Sequence, residues 1–126
     1  MEQHMHQKEL ISGFVKQNME IFDNSEQAVY VYLDDINKAC NRKFAIMLGY
    51  KSPEEWAKVE EPFPQVFVGE DSRHALVNAY QMAMENKAGS SFDVTWKTKS
   101  GRSLDTNMIL VPICFNGHIF ALHFIS

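Results

Sequence analysis

The chain has 126 residues, enough for one domain whose core needs no disulfide support. Hydrophobic residues make up 45% and charged residues 22%, the balance of a soluble globular protein, and a net charge of −4 argues against a nucleic-acid partner, whose phosphates need a basic surface. Two cysteines, Cys40 and Cys114, match no metal-ligand or CxxC spacing and suit a reducing, cytoplasmic setting, while the polar opening MEQHMHQKEL excludes a secretory signal and no apolar run is long enough to span a membrane.

Residues 5–23 place Ile11, Phe14, Val15 and Phe22 near 3.6-residue spacing among Gln, Lys and Glu, which predicts an amphipathic helix ended by Asn24–Ser25. AVYVYL at 28–33 is β-branched and aromatic and predicts a strand. Asp34–Asp35 then turns the chain, with a brief returning strand from Ile36. In ACNRKFAIMLGY, residues 39–50, Cys40, Phe44, Met47 and Leu48 fall on one helix face. Gly49 suits the left-handed residue past a helix end, and Tyr50 is placed to pack back in a Schellman ending. Ser52, Pro53 and Glu55 have the spacing of a capping box that starts a further helix. EEPFPQV at 60–66 reads as a proline-rich loop, and Asp71 as the cap of a longer helix over about 72–87 that Gly89 ends.

From Ser90 the hydrophobic period changes to two, and turn signals at Ser100–Gly101 and Asn116–Gly117 divide the rest into a three-stranded antiparallel meander. One face carries Phe92, Val94, Trp96, Leu104, Met108, Leu110, Phe120, Leu122 and Phe124, expected under the central helices. The other carries Ile109, Val111, Ile113, Ile119, Ala121 and Ile125, a patch that needs a cover. The N-terminal helix, from the same chain or a second subunit, is the expected cover. A bulge in a long strand would shift this parity by one.

The order of these elements resembles the PAS sensor domain over roughly residues 25–126. The residues that carry the likeness are Asn41-x-x-Phe44 with Leu48–Gly49–Tyr50, Ser52-x-Glu54–Glu55, Glu70–Asp71, Ser100–Gly101–Arg102, Val111–Pro112–Ile113 and Asn116–Gly117. The resemblance implies an α+β fold: a five-stranded antiparallel sheet, central helices on one face enclosing a small cavity, and an N-terminal amphipathic helix that commonly mediates dimers. The expected organisation is therefore a cap or dimerisation helix over 1–24 and a PAS domain over 25–126. One departure concerns output. Members of the family often end in Asp-Ile-Thr, where this chain has Phe124–Ile125–Ser126, so the acidic residue is missing.

The likeness makes the cavity the expected ligand site, with Phe44, Met47, Leu76, Tyr80, Phe92, Trp96, Met108 and Phe120 converging on it. An apolar, aromatic lining suits a small hydrophobic or aromatic ligand, and the plainer alternative is a core filled at ordinary density. His74, in EDSRHAL, lies near the point where haem-binding oxygen sensors of the family place their proximal histidine. A solvated histidine is the favoured reading, since Phe92 stands where some of those sensors carry a polar residue. Light-oxygen-voltage members carry a flavin-reactive cysteine in Asn-Cys-Arg-Phe. Here the order is Cys40–Asn41–Arg42–Lys43–Phe44 in an earlier helix, so Cys40 is read as a structural thiol, flavin is not expected, and Cys114 has no basic neighbour to activate it. His4 with His6, and His118 with His123, do not share faces in a way that makes a metal site. Asp34–Asp35 and Glu60–Glu61 read as solvated turn residues rather than acid–base pairs.

The reading these residues support is a cytoplasmic, non-enzymatic sensory or regulatory PAS domain that binds a small molecule, forms a homodimer through its N-terminal helix and outer sheet face, or both. The alternatives are a ligand-free dimerisation module, a haem-binding gas sensor, and a small α+β cone enzyme of the ketosteroid-isomerase kind. The last needs a buried carboxylate, for which Asp93 or Asp105 would have to enter the cavity.

Overall fold

The computed structural model describes residues 2–126, with side chains from residue 7 onward, so the side chains of His4 and His6 lie outside the described residues. Five antiparallel strands form one sheet in the order β2-β1-β5-β4-β3. They are β1 (Ala28–Tyr32), β2 (Lys38–Cys40), β3 (Ser90–Lys97), β4 (Ser103–Phe115) and β5 (His118–Ile125). The first and last long strands meet at the centre, where Tyr30 pairs with His123. Four helices, α3 (Arg42–Met47), α4 (Pro53–Ala57), α5 (Phe63–Phe67) and α6 (Glu70–Asn86), cover the inner face, and α1 (Glu2–Gln17) with α2 (Met19–Asn24) lies against the outer one.

The expected N-terminal helix is two helices. Asn18 breaks it: its side-chain amide donates to the Phe14 carbonyl (2.8 Å), the kind of local competition that interrupts a helix. Leu10, Ile11 and Phe14 of α1 are buried with Val29, Val31, Phe120 and Leu122 of the sheet. Phe14 lies edge-on to Phe115 (5.6 Å) and 5.3 Å from Phe120.

Cys40 belongs to β2, not to the helix face, because Asn41 caps α3. The Asn41 Oδ1 accepts from the backbone N–H of Phe44 (3.0 Å) and of Val29 (3.1 Å), and its Nδ2 donates to the Gln27 carbonyl (3.0 Å). One side chain thus starts the helix and ties it to β1. Gly49 adopts φ +90°, with Gly49 N–H donating to Ile46 O (3.0 Å) and Tyr50 N–H to Ala45 O (2.9 Å), the paired bonds of a Schellman ending. Ser52 caps α4 as expected, accepting from Glu55 N–H (3.1 Å), but the Glu55 carboxylate takes the N–H of Lys51 (3.3 Å) instead of the capping serine's.

The stretch expected as a loop at 60–66 contains α5. Pro62 and Pro64 favour a helix start, Phe63 and Phe67 are buried, and Asp35 reaches across to accept the Phe63 N–H (2.9 Å). Gly69, rather than Asp71, occupies the cap position of α6, and the helix ends at Lys87, which is itself left-handed (φ 53°), two residues before Gly89. The start of α6 is bound to β3 through one residue: the Thr95 carbonyl accepts from Gly69 N–H (2.8 Å), and Thr95 N–H donates to Ser72 Oγ (2.8 Å).

The meander forms with the expected hairpins, and β3 and β4 present the expected faces. The β5 parity is reversed. Ala121, His123 and Ile125 face inward, in register with Pro112, Leu110 and Met108, whereas Leu122 and Phe124 pair with Val111 and Ile109 on the outer face, and Phe120 with Ile113. The cause is the two-residue turn at Asn116–Gly117: it pairs Phe115 with His118, so every even-numbered β4 residue opposes an odd-numbered β5 residue.

Candidate functional site

Between α5, α6 and the centre of the sheet lies a cavity of about 280 Å³. The sheet supplies Tyr30 and Tyr32 from β1 and His123 from β5. Phe63 and Pro64 come from α5, and Leu76, Val77, Tyr80 and Gln81 from α6. Strand alternation sends Tyr30 and Tyr32 to the same face, and α6 presents Leu76 and Tyr80 one turn apart. No lining side chain carries a formal charge, and the size lies at the small end for sites that take small molecules, roughly 300–1,000 Å³.

The tyrosine hydroxyls are held by local partners. Tyr32 donates to Asp35 Oδ1 (2.8 Å), Tyr80 to the Leu33 carbonyl (3.1 Å), and Tyr30 to the Met108 sulfur (3.7 Å). Burial pushes all three phenols above their ordinary pKa, with Asp35 adding to the shift at Tyr32 and Asp34 at Tyr80, so they stay protonated. Asp35 accepts both the Tyr32 hydroxyl and the Phe63 N–H, which fixes the wall formed by α5 to the β1–β2 turn.

His123 is the distinctive group. It is 2% exposed, and its ring stacks on Tyr30 at 3.9 Å between centroids with 5° between planes. Burial lowers its pKa from 6.5 to about 3, against an opposing pull from hydrogen bonding to the backbone at Tyr30 and Ala121, so the imidazole is neutral at physiological pH. Its Nδ1 is buried without a hydrogen-bond partner, a costly condition for a polar atom.

Of the residues the sequence nominates for the cavity, Leu76 and Tyr80 line it. Phe44, Trp96 and Met108 are fully buried and fill the core beside it, with the Phe44 ring 4.7 Å and the Trp96 ring 5.8 Å from that of Tyr30. Met47 packs at the edge of the same cluster, and Phe92 packs near Ala79, Ala83 and Leu110. Phe120 lies on the opposite face of the sheet, against Phe14, because of the reversed β5 parity. The β1 tyrosines, the α5 residues and His123 are the lining groups the sequence reading passes over. The Tyr-x-Tyr alternation and the Asn116–Gly117 pairing rule carry the signal for the first and last of these.

The other candidate chemistry separates from the cavity. His74 is exposed on α6, in keeping with the favoured solvated reading, and is not among the residues that line the cavity. The Cys40 thiol is buried and pushed well above its ordinary pKa, the opposite of an activated nucleophile, and Cys114 is exposed on β4. Asp34 and Asp35 are half-buried and hydrogen-bonded rather than solvated: Asp34 Oδ1 accepts from Asn37 N–H (2.7 Å) and Ile36 N–H (2.9 Å). Asp105 accepts from Thr95 Oγ1 (2.7 Å) and Asp93 from Asn107 Nδ2 (3.1 Å), both exposed, so neither supplies the cavity carboxylate that a cone enzyme needs. Among the described residues no group of three or more His, Cys, Asp or Glu could hold a metal ion, and no helix is long and apolar enough to cross a membrane.

No family model matches the sequence, and no curated protein matches it. Solved structures do. A PAS domain from a two-component sensor histidine kinase superposes with a TM-score of 0.67 at 18% identity, covering 91% of this chain and 96% of its own. A PAS domain from Colwellia psychrerythraea gives 0.65 at 20% identity over 90% and 95% of the two chains. The PAS domain of nitrogen regulation protein NR(II) from Vibrio parahaemolyticus gives 0.63 at 18% identity over 84% and 93%.

Proposed function

The chain has the PAS fold, and on that premise we propose that it is a non-catalytic sensory domain whose inner cavity binds a small hydrophobic or aromatic molecule. The observation that carries this reading is the cavity itself: aromatic rings contributed by β1, α5 and α6, and no charged lining group. The same strand links it to the outer face. His123 enters the cavity, while its neighbours Leu122 and Phe124 pack in the cluster that seats α1 and α2. A ligand that shifts β5 therefore shifts the packing of α1, a change in populations rather than a chemical step. Two free cysteines fit a reducing cytoplasm.

Native mass spectrometry and an absorption spectrum of freshly purified protein test this. A small-molecule adduct, or stabilisation by an aromatic compound with resonance shifts at Tyr30, Tyr80 and His123, is the expected result. Shifts confined to the outer face would overturn it, and a Soret band would restore the haem reading.

A second reading, self-association, rests on a separate observation. Ile109 and Val111 lie on the outer face at 43% and 37% exposure, and Met19 and Ile21 of α2 are exposed as well. We read this apolar strip as the contact for a second copy. Light scattering should show a dimer that Ile109→Lys with Val111→Lys converts to monomer; a monomeric unmodified protein at high concentration would rule the contact out.

A further inference from the structure

The turn between β1 and β2, residues 33–37, is tied both to the cavity and to α1. On the cavity side it accepts two hydroxyls: Tyr32 donates to Asp35 Oδ1 (2.8 Å) and Tyr80 to the Leu33 carbonyl (3.1 Å). The same Asp35 oxygen accepts the Phe63 N–H (2.9 Å), so a third lining residue is fastened to the turn. On the other side Asn37, 5% exposed, donates through Nδ2 to Gln7 Oε1 of α1 (3.3 Å). Gln7 stands one turn before Leu10 and Ile11, which are buried against the sheet. Between these attachments the turn is braced by its own groups. Asp34 Oδ1 accepts from Ile36 N–H (2.9 Å) and Asn37 N–H (2.7 Å), and the Asn37 amide donates to both Asp34 oxygens (3.0 and 3.1 Å). The Asn37 carbonyl accepts from the N–H groups of Leu33 (3.1 Å) and Asp34 (3.2 Å).

Resting on the cavity reading, we propose that this turn is a polar relay that reports occupancy of the cavity to α1, beside the apolar link through β5. Tyr32 lies edge-on to Phe63 (5.2 Å) and to Tyr80 (5.3 Å), so the three rings form one contiguous part of the lining. A molecule that enters among them displaces residues whose hydroxyls and N–H the turn accepts. A segment cross-braced in this way moves as a block, and it carries Asn37, and with it Gln7, along. The coupling is reciprocal: a packing of α1 that shifts the turn changes the affinity of the cavity by the same factor.

Substitutions at opposite ends of the relay test it. Tyr32→Phe keeps the ring and removes the hydroxyl, and Gln7→Ala removes the acceptor on α1. The two side chains share no hydrogen-bond partner, so without the relay their effects on stability add. With it, urea denaturation of the intact chain should show the double variant departing from additivity by about twofold or more in its unfolding constant. Indole then serves as the occupant. In nitrogen-15 spectra of the unmodified protein it should shift the amides of residues 33–37 and of Gln7, Leu10 and Ile11, as well as those of Tyr30 and His123. In Gln7→Ala the turn amides should still shift, while the response of Leu10 and Ile11 should shrink. Additive stability effects, or α1 shifts that survive Gln7→Ala in full, overturn the relay and leave the cavity reading standing. If indole does not bind and native mass spectra show no retained molecule, the cavity reading falls and the relay has nothing to report, even where the stability cycle is non-additive.

Discussion

His123 should make the fold sensitive to acid well above the range in which carboxylates titrate. The perturbation is a change from pH 8 to pH 5. Above pH 6.5 the imidazole is neutral in folded and unfolded chains alike, so it contributes no pH dependence. Below 6.5 the unfolded chain takes up a proton that the folded chain refuses until the pH nears 3, because burial lowers the folded-state pKa to about 3. The unfolded state then binds more protons, so stability rises with pH across this window and is lost on acidification, at up to about 1.4 kcal/mol per pH unit. At pH 5, about one and a half units below the unfolded value, the loss is about 2 kcal/mol, a large share of the roughly 5–15 kcal/mol that holds a domain together. The phenols around the ring, Tyr30, Tyr32 and Tyr80, are all raised and do not titrate here. Glu55, lowered by its hydrogen bond from Lys99, changes stability in the same direction but chiefly below pH 4.5, and it is present in any variant. The assay is urea denaturation at pH 8 and pH 5 of the unmodified protein and of His123→Phe, compared by midpoint at constant slope. The unmodified protein should lose about 2 kcal/mol more than the variant. Parallel losses would refute the assignment of a buried neutral imidazole at the centre of the sheet.

Asn41→Ala removes the cap of α3 and strands the Val29 N–H and the Gln27 carbonyl, so it should cost about 3 kcal/mol in chemical denaturation; a loss under about 1 kcal/mol would mean the three bonds do not act together. Gly69→Ala has an ordinary φ of −60°, but its new Cβ would lie 3.1 Å from the Thr95 carbonyl oxygen and 3.2 Å from Thr95 Cγ2, so the start of α6 must lift from β3. The expected cost is about 1–2 kcal/mol, seen as a fall of several degrees in Tm, and an unchanged or higher Tm would contradict the close approach. Phe14→Ala should cost about 3–5 kcal/mol if α1 is seated on the outer face, and a loss of less than about 1 kcal/mol would show that it is not.

The parts of the fold that were legible in the sequence are those set by local chemistry. The Gly49 ending, the Ser52 cap and the Asn116–Gly117 hairpin each depend on residues within a few positions, and each forms where its signal lies. The parts that were not legible depend on partners distant in sequence. The α5 helix is too short for periodicity to reveal, and its first N–H is satisfied by Asp35, 28 residues earlier. Lys38 is buried only because the carbonyls of Asp35, Ala57 and Val59 surround its ammonium above the Trp56 ring, an arrangement that exists after α4 has docked. His123 is a different case, since the information was present: a two-residue turn dictates opposite parity on β4 and β5. Bulk apolar pattern pointed the other way, because β5 is apolar on both sides, with Phe120, Leu122 and Phe124 on one and Ala121 and Ile125 on the other. Hydrophobicity cannot choose a face in such a strand, and turn geometry decides it.

That double-sided burial also bears on how a ligand's presence would be read. A strand buried on both faces transmits displacement, since close-packed neighbours on either side leave no slack to absorb it. A ligand in the cavity can shift the equilibrium between two packings of α1 only by the difference in its affinity for them, and coupling of this kind is typically about 1–3 kcal/mol. Burying each of Leu10, Ile11 and Phe14 is worth about 1.5–3 kcal/mol, so together they exceed what one small ligand can overcome. Release of α1 is therefore the wrong response to expect. Sliding or rotation of α1 over Leu122 and Phe120 keeps most of that burial and lies within the ligand's reach, and it would alter the apolar strip at Ile109 and Val111 that borders the same cluster.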